Sequence, residues 1–124
     1  MKQEDLQKLS EAILDMDSEV AYRSAISRSY YSAFHAIREI TSDTVLDKAP
    51  PGSHAVVTAK LKAKYGKTIA KHFHKMKKER NSADYDLHKT FFRKDATRMF
   101  NDRRFLLDEV AVAHTNQADG KGER

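Results

Sequence analysis

Cysteine and tryptophan do not occur in this 124-residue chain, and proline and glycine are scarce, with two and four copies. Without cysteine there is neither a disulfide nor a thiolate metal site, which fits a reducing compartment. With so few helix breakers, long stretches are free to stay helical. No apolar run reaches the length a bilayer requires. The polar, acidic opening MKQEDLQKLSEAILDMD has no apolar core of the kind a signal peptide needs. The expected compartment is the cytoplasm, with no membrane partner. What the chain does contain is 40% hydrophobic and 33% charged residues, the balance of a helical globular domain rather than of a disordered segment. A chain of this length supports one core.

Charge is unevenly spread. The net value is +5, yet Met1 to Val20 carries six acids against two lysines. From Lys60 to Arg80 there are eight lysines and one arginine against a single acid, Glu79. A segment this basic is an electrostatic footprint for phosphate or for an acidic partner. A solvated helix face is the competing reading.

Apolar spacing predicts helices throughout. Leu6, Leu9, Ile13 and Leu14 mark the first. Ser18 is placed to cap a second, which runs to about Ile40 with Tyr22, Ile26, Tyr30, Ala33, Phe34, Ile37 and Ile40 on one stripe. Pro50-Pro51-Gly52 breaks the chain. Ser53 is expected to cap a short third helix with Val56, Val57 and Leu61 inward, and Gly66 to stop it. Thr68 is expected to cap a fourth with Ile69, Phe73 and Met76 inward. A last helix opens near Arg93 to Asp95, with Ala96, Phe100, Leu106, Leu107, Val110 and Ala113 on its apolar face. The predicted fold is all-α: an antiparallel up-and-down four-helix bundle with one extra short helix, over residues 1–115. Composition predicts a disordered polar tail over 116–124.

The helix from Arg23 to Ile40, RSAISRSYYSAFHAIREI, resembles the signature helix of HEPN domains. One branch, of small stand-alone prokaryotic proteins, carries a similar A-x-S-R-x-Y-Y-x-A-F-H-A run, and an Arg followed shortly by A-D-Y-D. Here these are Arg80 and Ala83-Asp84-Tyr85-Asp86. Phe92, Ala96 and the final LL-x-x-V helix resemble it too, so the likeness covers roughly residues 3 to 113.

The resemblance implies binding of RNA or nucleotide phosphate. Many HEPN domains are metal-independent endoribonucleases of toxin–antitoxin or phage-defence systems. Their motif is an Arg, usually with a polar residue after it, then a His after four to six intervening residues. Two copies meet across a homodimer to make one composite site. In that chemistry the RNA 2′-OH attacks the adjacent phosphorus, a base accepts its proton and an acid protonates the leaving 5′-oxygen. A guanidinium stabilises the developing charge. Related proteins pair with a minimal nucleotidyltransferase or antitoxin. No cofactor or metal is implied.

Arg80 and Asn81 match the start of that motif. His88 follows seven intervening residues, one more than usual, and two readings stay open. Either a looser backbone after Asp84 lets His88 reach the site, or this branch works without a catalytic His. Asp84 sits one turn from Arg80, positioned to pair with it and to orient it. Asp86 is the better candidate for capping the break after the helix. Tyr85 is expected to pack, with a hydroxyl available to the site. Arg28, Tyr31 and His35 share one face of the signature helix, and the resemblance lets that face line the same groove. Lys71, Lys75 and Lys78 lie at helical spacing upstream of Arg80, as candidates to carry an RNA backbone toward it. His72 and His74 point apart on a helix, with no third ligand in sight, so zinc is not supported; His54 and His114 carry no signal.

A second function class is a non-catalytic interaction module holding a nucleotide or an acidic protein, favoured by the displaced His88. A third, a DNA-binding helix-turn-helix, lacks a recognition helix with base-reading residues at its start.

Overall fold

A computed structural model describes residues 1–123, with side chains described for 1–118. Five helices follow in order: α1 (Gln3–Leu14), α2 (Glu19–Ile40), α3 (Ser53–Tyr65), α4 (Lys67–Tyr85) and α5 (Arg93–Glu123). Among the described residues there is no strand, as predicted. No described helix is long and apolar enough to cross a membrane.

The central element is α2, which packs on α1, α4 and α5 and more lightly on α3. Its start is fixed by Ser18, whose Oγ accepts from the Ala21 N–H at 3.2 Å, satisfying one of the free donors of the first turn. Its predicted stripe is inward: Ile26, Tyr30, Ala33, Phe34 and Ile37 are buried. They meet Leu61 of α3, Phe73 and Met76 of α4, and Met99, Leu106 and Val110 of α5 in one core. Phe73 stacks on Tyr30 with ring centroids 5.9 Å apart.

A second face of α2 is lined with small residues. Ala21, Ala25, Ser29, Ser32 and Ala36 are buried and leave room for α1. The α1 residues that fill it are Gln7 and Ser10 beside Leu14, whereas Leu9, predicted inward, is 43% exposed. Space so limited admits small or hydrogen-bonding groups. Ser10 Oγ donates to the Ala25 carbonyl at 2.5 Å, and Ser29 Oγ donates to Gln7 Oε1 at 2.8 Å.

Two predicted caps are replaced by glycines. Gly52, at φ +93°, precedes α3, so Ser53 is the first helical residue rather than the cap. Gly66 alone joins α3 to α4, at φ +101° and ψ 167°, a region open essentially to glycine. Thr68 therefore lies inside α4. The reversal is this tight because Gly66 ends one helix and begins the next, which sets α3 and α4 side by side. At the other end of the chain, α5 continues past Asn116, where composition predicted a tail. There Gln117 Nε2 donates to the Lys64 carbonyl at 2.6 Å. Arg124 lies outside the described residues.

Candidate functional site

Phe73, Met76 and Ala83 are buried residues of α4. Arg80, four residues after Met76 and three before Ala83, falls on that same inward face. The fold thus directs an arginine at the core, and its side chain is only 12% exposed. The guanidinium lies over two rings of α2, 5.3 Å from the Tyr30 centroid and 5.2 Å from that of Tyr31, a cation–π slot. Nη1 donates to Asp84 Oδ2 at 3.2 Å, and the same oxygen accepts from Ser27 Oγ at 3.2 Å. Nε is buried and has no hydrogen-bond partner among the described residues. Burial works against the charge, but the hydrogen bond to Asp84 and the Asp84 carboxylate outweigh it, so Arg80 stays protonated.

Behind this slot is a residue to which the sequence assigned nothing. His54, on the first turn of α3, brings Nδ1 within 2.5 Å of the Tyr30 hydroxyl and Nε2 within 3.0 Å of Thr58 Oγ1. Thr58 Oγ1 already donates to the His54 carbonyl at 2.8 Å, so its remaining capacity is to accept. Nε2 therefore carries the proton, and Nδ1 accepts from Tyr30. The ring stacks on Phe73 at 4.7 Å. Desolvation, followed by the charges of Lys77, His74 and Arg80, pushes the imidazole pKa down to about 4. Burial likewise pushes the Tyr30 phenol up.

Arg23 of α2 fixes the segment after Arg80. Its Nη1 donates to the carbonyls of Ala83 at 3.0 Å and Asp86 at 2.9 Å, and Nη2 donates to that of Lys89. Nε donates to Glu19 at 3.2 Å, and the guanidinium covers the Phe91 ring at 4.7 Å. The carbonyls at the end of α4 are thereby capped by a side chain from another helix. Helix α4 ends at Tyr85, and Asp86 Oδ1 accepts from the N–H groups of His88 and Lys89, both at 3.3 Å, the turn-capping role predicted for it.

Of the residues singled out in the sequence, the structure brings Arg80, Asp84 and Tyr31 together. Asn81 is half-buried beside them. His88 sits in the exposed turn beyond the helix end. Tyr85, expected to pack, is 75% exposed, because it lies well round α4 from the inward face. Arg28, Tyr31 and His35 do share one face of α2, but Arg28 is exposed. His35 lines a separate groove with Lys2 and Arg38, and its pKa is lowered by burial and then by Arg38. The lysines Lys71, Lys75 and Lys78 are exposed. At 3.6 residues per turn they point about 140–180° away from Arg80, and Lys75 lines a cavity with Asp102 and Phe105 of α5. The lysine beside the slot is Lys77, about 60° from Arg80 by the same repeat. The signal for it was the i, i+3 spacing to Arg80. For Arg23 and Ser27 it was the run Glu19–Arg23–Ser27–Tyr31 at four-residue intervals. For His54 there was none. Among the described residues no group of three or more His, Asp or Glu is arranged to hold a metal ion.

A family model described as HEPN domain matches residues 4–113. No curated protein and no solved structure matches the chain.

Proposed function

The chain belongs to the HEPN domain family, and we propose that it binds RNA or nucleotide phosphate through Arg80, as a homodimer. We further propose that it acts as a metal-independent endoribonuclease in the cytoplasm, in a toxin–antitoxin or phage-defence setting, with a minimal nucleotidyltransferase or antitoxin as partner. The observation that carries this reading is the state of Arg80. Its charge is largely buried and oriented by Asp84 and two tyrosines, and its Nε has no hydrogen-bond partner among the described residues. A guanidinium so held meets an oxyanion with little reorganisation. In the proposed reaction Arg80 stabilises the pentacoordinate phosphorus, Asp84 keeps the guanidinium in place, and Asn81 and His88 complete the site.

A second reading, a non-catalytic module holding a nucleotide or an acidic protein, is favoured by one observation: α4 ends at Tyr85, so His88 stands in an exposed turn and not on the Arg80 helix face. The two readings separate on incubation with labelled RNA in EDTA beside Arg80→Ala and His88→Ala variants. The nuclease cleaves in EDTA and loses cleavage in Arg80→Ala. RNA that is bound but not cut establishes the module instead. Loss in His88→Ala gives that histidine its catalytic role.

A further inference from the structure

From Ser53 to Tyr85 the α3–α4 hairpin carries nine lysines and arginines against two acids, Glu79 and Asp84. Tyr30 of α2 and His74 of α4 contact His54, the charges of Lys77 and Arg80 act on it, and Tyr31 and Asp84 flank Arg80. The His74 ring is 5.7 Å from that of His54. His74 and Lys77 make no salt bridge or side-chain hydrogen bond among the described residues, and Asp84 is engaged by Arg80 and Ser27. Tyr30 couples the two sides, with its ring under the Arg80 guanidinium and its hydroxyl on His54 Nδ1. Four groups able to carry positive charge thus gather at this edge of α3 and α4, with Asp84, held by Arg80 and Ser27, as the acid beside them.

We propose that His54, His74, Lys77 and Arg80 form a phosphate subsite between α3 and α4, in which His54 takes up a proton as the anion binds. This rests on the reading of Arg80 as a phosphate contact and names the residues that complete it. Burial, followed by the charges of Lys77, His74 and Arg80, opposes a proton on the His54 imidazole. A phosphate group supplies negative charge and reverses that balance. The proton comes from solvent to Nδ1. The Nδ1–H then donates to the Tyr30 oxygen, and the Tyr30 O–H, no longer committed to the imidazole, becomes a donor. Phosphate as an inorganic ion, as a nucleoside monophosphate or within RNA presents the same oxyanion.

The test is imidazole NMR of the intact chain, titrated in pH with inorganic phosphate, with a nucleoside 5′-monophosphate and with an RNA oligonucleotide, at ionic strength matched by chloride. The His54 midpoint is expected to rise by about one unit or more with phosphate and to stay unmoved in chloride. The source that moves it at the lowest concentration is the physiological one. Lys77→Gln, a half-buried position outside the core, is expected to weaken phosphate about tenfold with helicity unchanged. His54→Gln, which keeps a hydrogen-bonding side chain beside Tyr30, is expected to abolish the phosphate-linked proton uptake. A His54 resonance indifferent to all three anions overturns the proposal. If RNA still binds through Arg80 in that case, the subsite fails and the function above stands. If phosphate moves His54 but RNA never binds, the subsite stands and the RNA reading fails.

Discussion

Arg23 and Arg80 face each other's neighbourhoods across the same end of the bundle, and their side chains are equally buried, at 11% and 12% exposure. Their surroundings differ. Arg23 meets three backbone carbonyls, a glutamate and an aromatic ring. Arg80 meets one carboxylate and two aromatic faces and keeps a buried Nε without a partner among the described residues. Burying a guanidinium is unfavourable unless its donors are used. The first arrangement returns that cost as stability, because it closes the chain from Ala83 to Phe91 onto α2. The second leaves donor capacity unused in the folded protein, the expected arrangement where a ligand completes the set. Equal burial thus goes with opposite roles, and the hydrogen-bond inventory separates them.

Removal of each arginine is the sharpest way to break that comparison. Arg23→Ala is expected to lower stability by about 2 kcal/mol, since it removes the hydrogen bonds to three carbonyls and the cover over Phe91, read as a lowered denaturant midpoint in urea. Amide exchange of residues 86–91 is expected to accelerate in the same variant. Arg80→Ala is expected to change stability by about 1 kcal/mol or less, because a buried charge with an orphaned donor leaves together with its bonds. RNA affinity is expected to fall at least about tenfold in that variant. If instead Arg80→Ala unfolds the chain and Arg23→Ala does not, the two roles are exchanged.

Turns contribute on a similar scale. Gly66→Ala is expected to cost about 1–3 kcal/mol through its backbone conformation; an added Cβ meets nothing within 4 Å, so no clash confuses the result. Thermal unfolding measures it.

The pH response sharpens the contrast further. His54 is depressed to about 4, below the ordinary histidine value of about 6.5. Between those values the unfolded chain binds the proton and the folded chain does not, so stability falls as pH drops from about 6.5 to about 4. The melting temperature is expected to follow that slope, and His54→Gln to flatten it. Tyr85→Ser, at an exposed position, is expected to shift stability by no more than about 0.5 kcal/mol, and serves as the surface reference in the same melts.

Local pattern made much of this architecture legible in the sequence. The α2 stripe, the Ser18 cap, the Arg80–Asp84 pair at i, i+4 and the Asp86 turn all depend on neighbours within one or two helical turns. The features that escaped depend on distant partners. Arg23 binds backbone carbonyls about sixty residues away, and a carbonyl has no sequence signature. His54 gains its meaning from Tyr30, twenty-four positions earlier, and from the tight reversal at Gly66 that sets α3 along α4. Leu9 belongs to the apolar spacing of α1, but the small residues of α2 admit Gln7 and Ser10 instead. Lys71, Lys75 and Lys78 share helical spacing, but their phase puts them on the side of α4 away from Arg80. That phase directs attention to Lys77.

The most direct test of the central claim is the affinity of a short RNA for wild type, Arg80→Ala and Arg80→Lys, measured at two salt concentrations with each protein shown to be folded. The account predicts strong, salt-sensitive binding by wild type, and a large loss in both variants, since lysine cannot fill a slot shaped for a planar guanidinium. Binding that is equal in all three folded proteins would contradict it and make Arg80 a structural residue like Arg23.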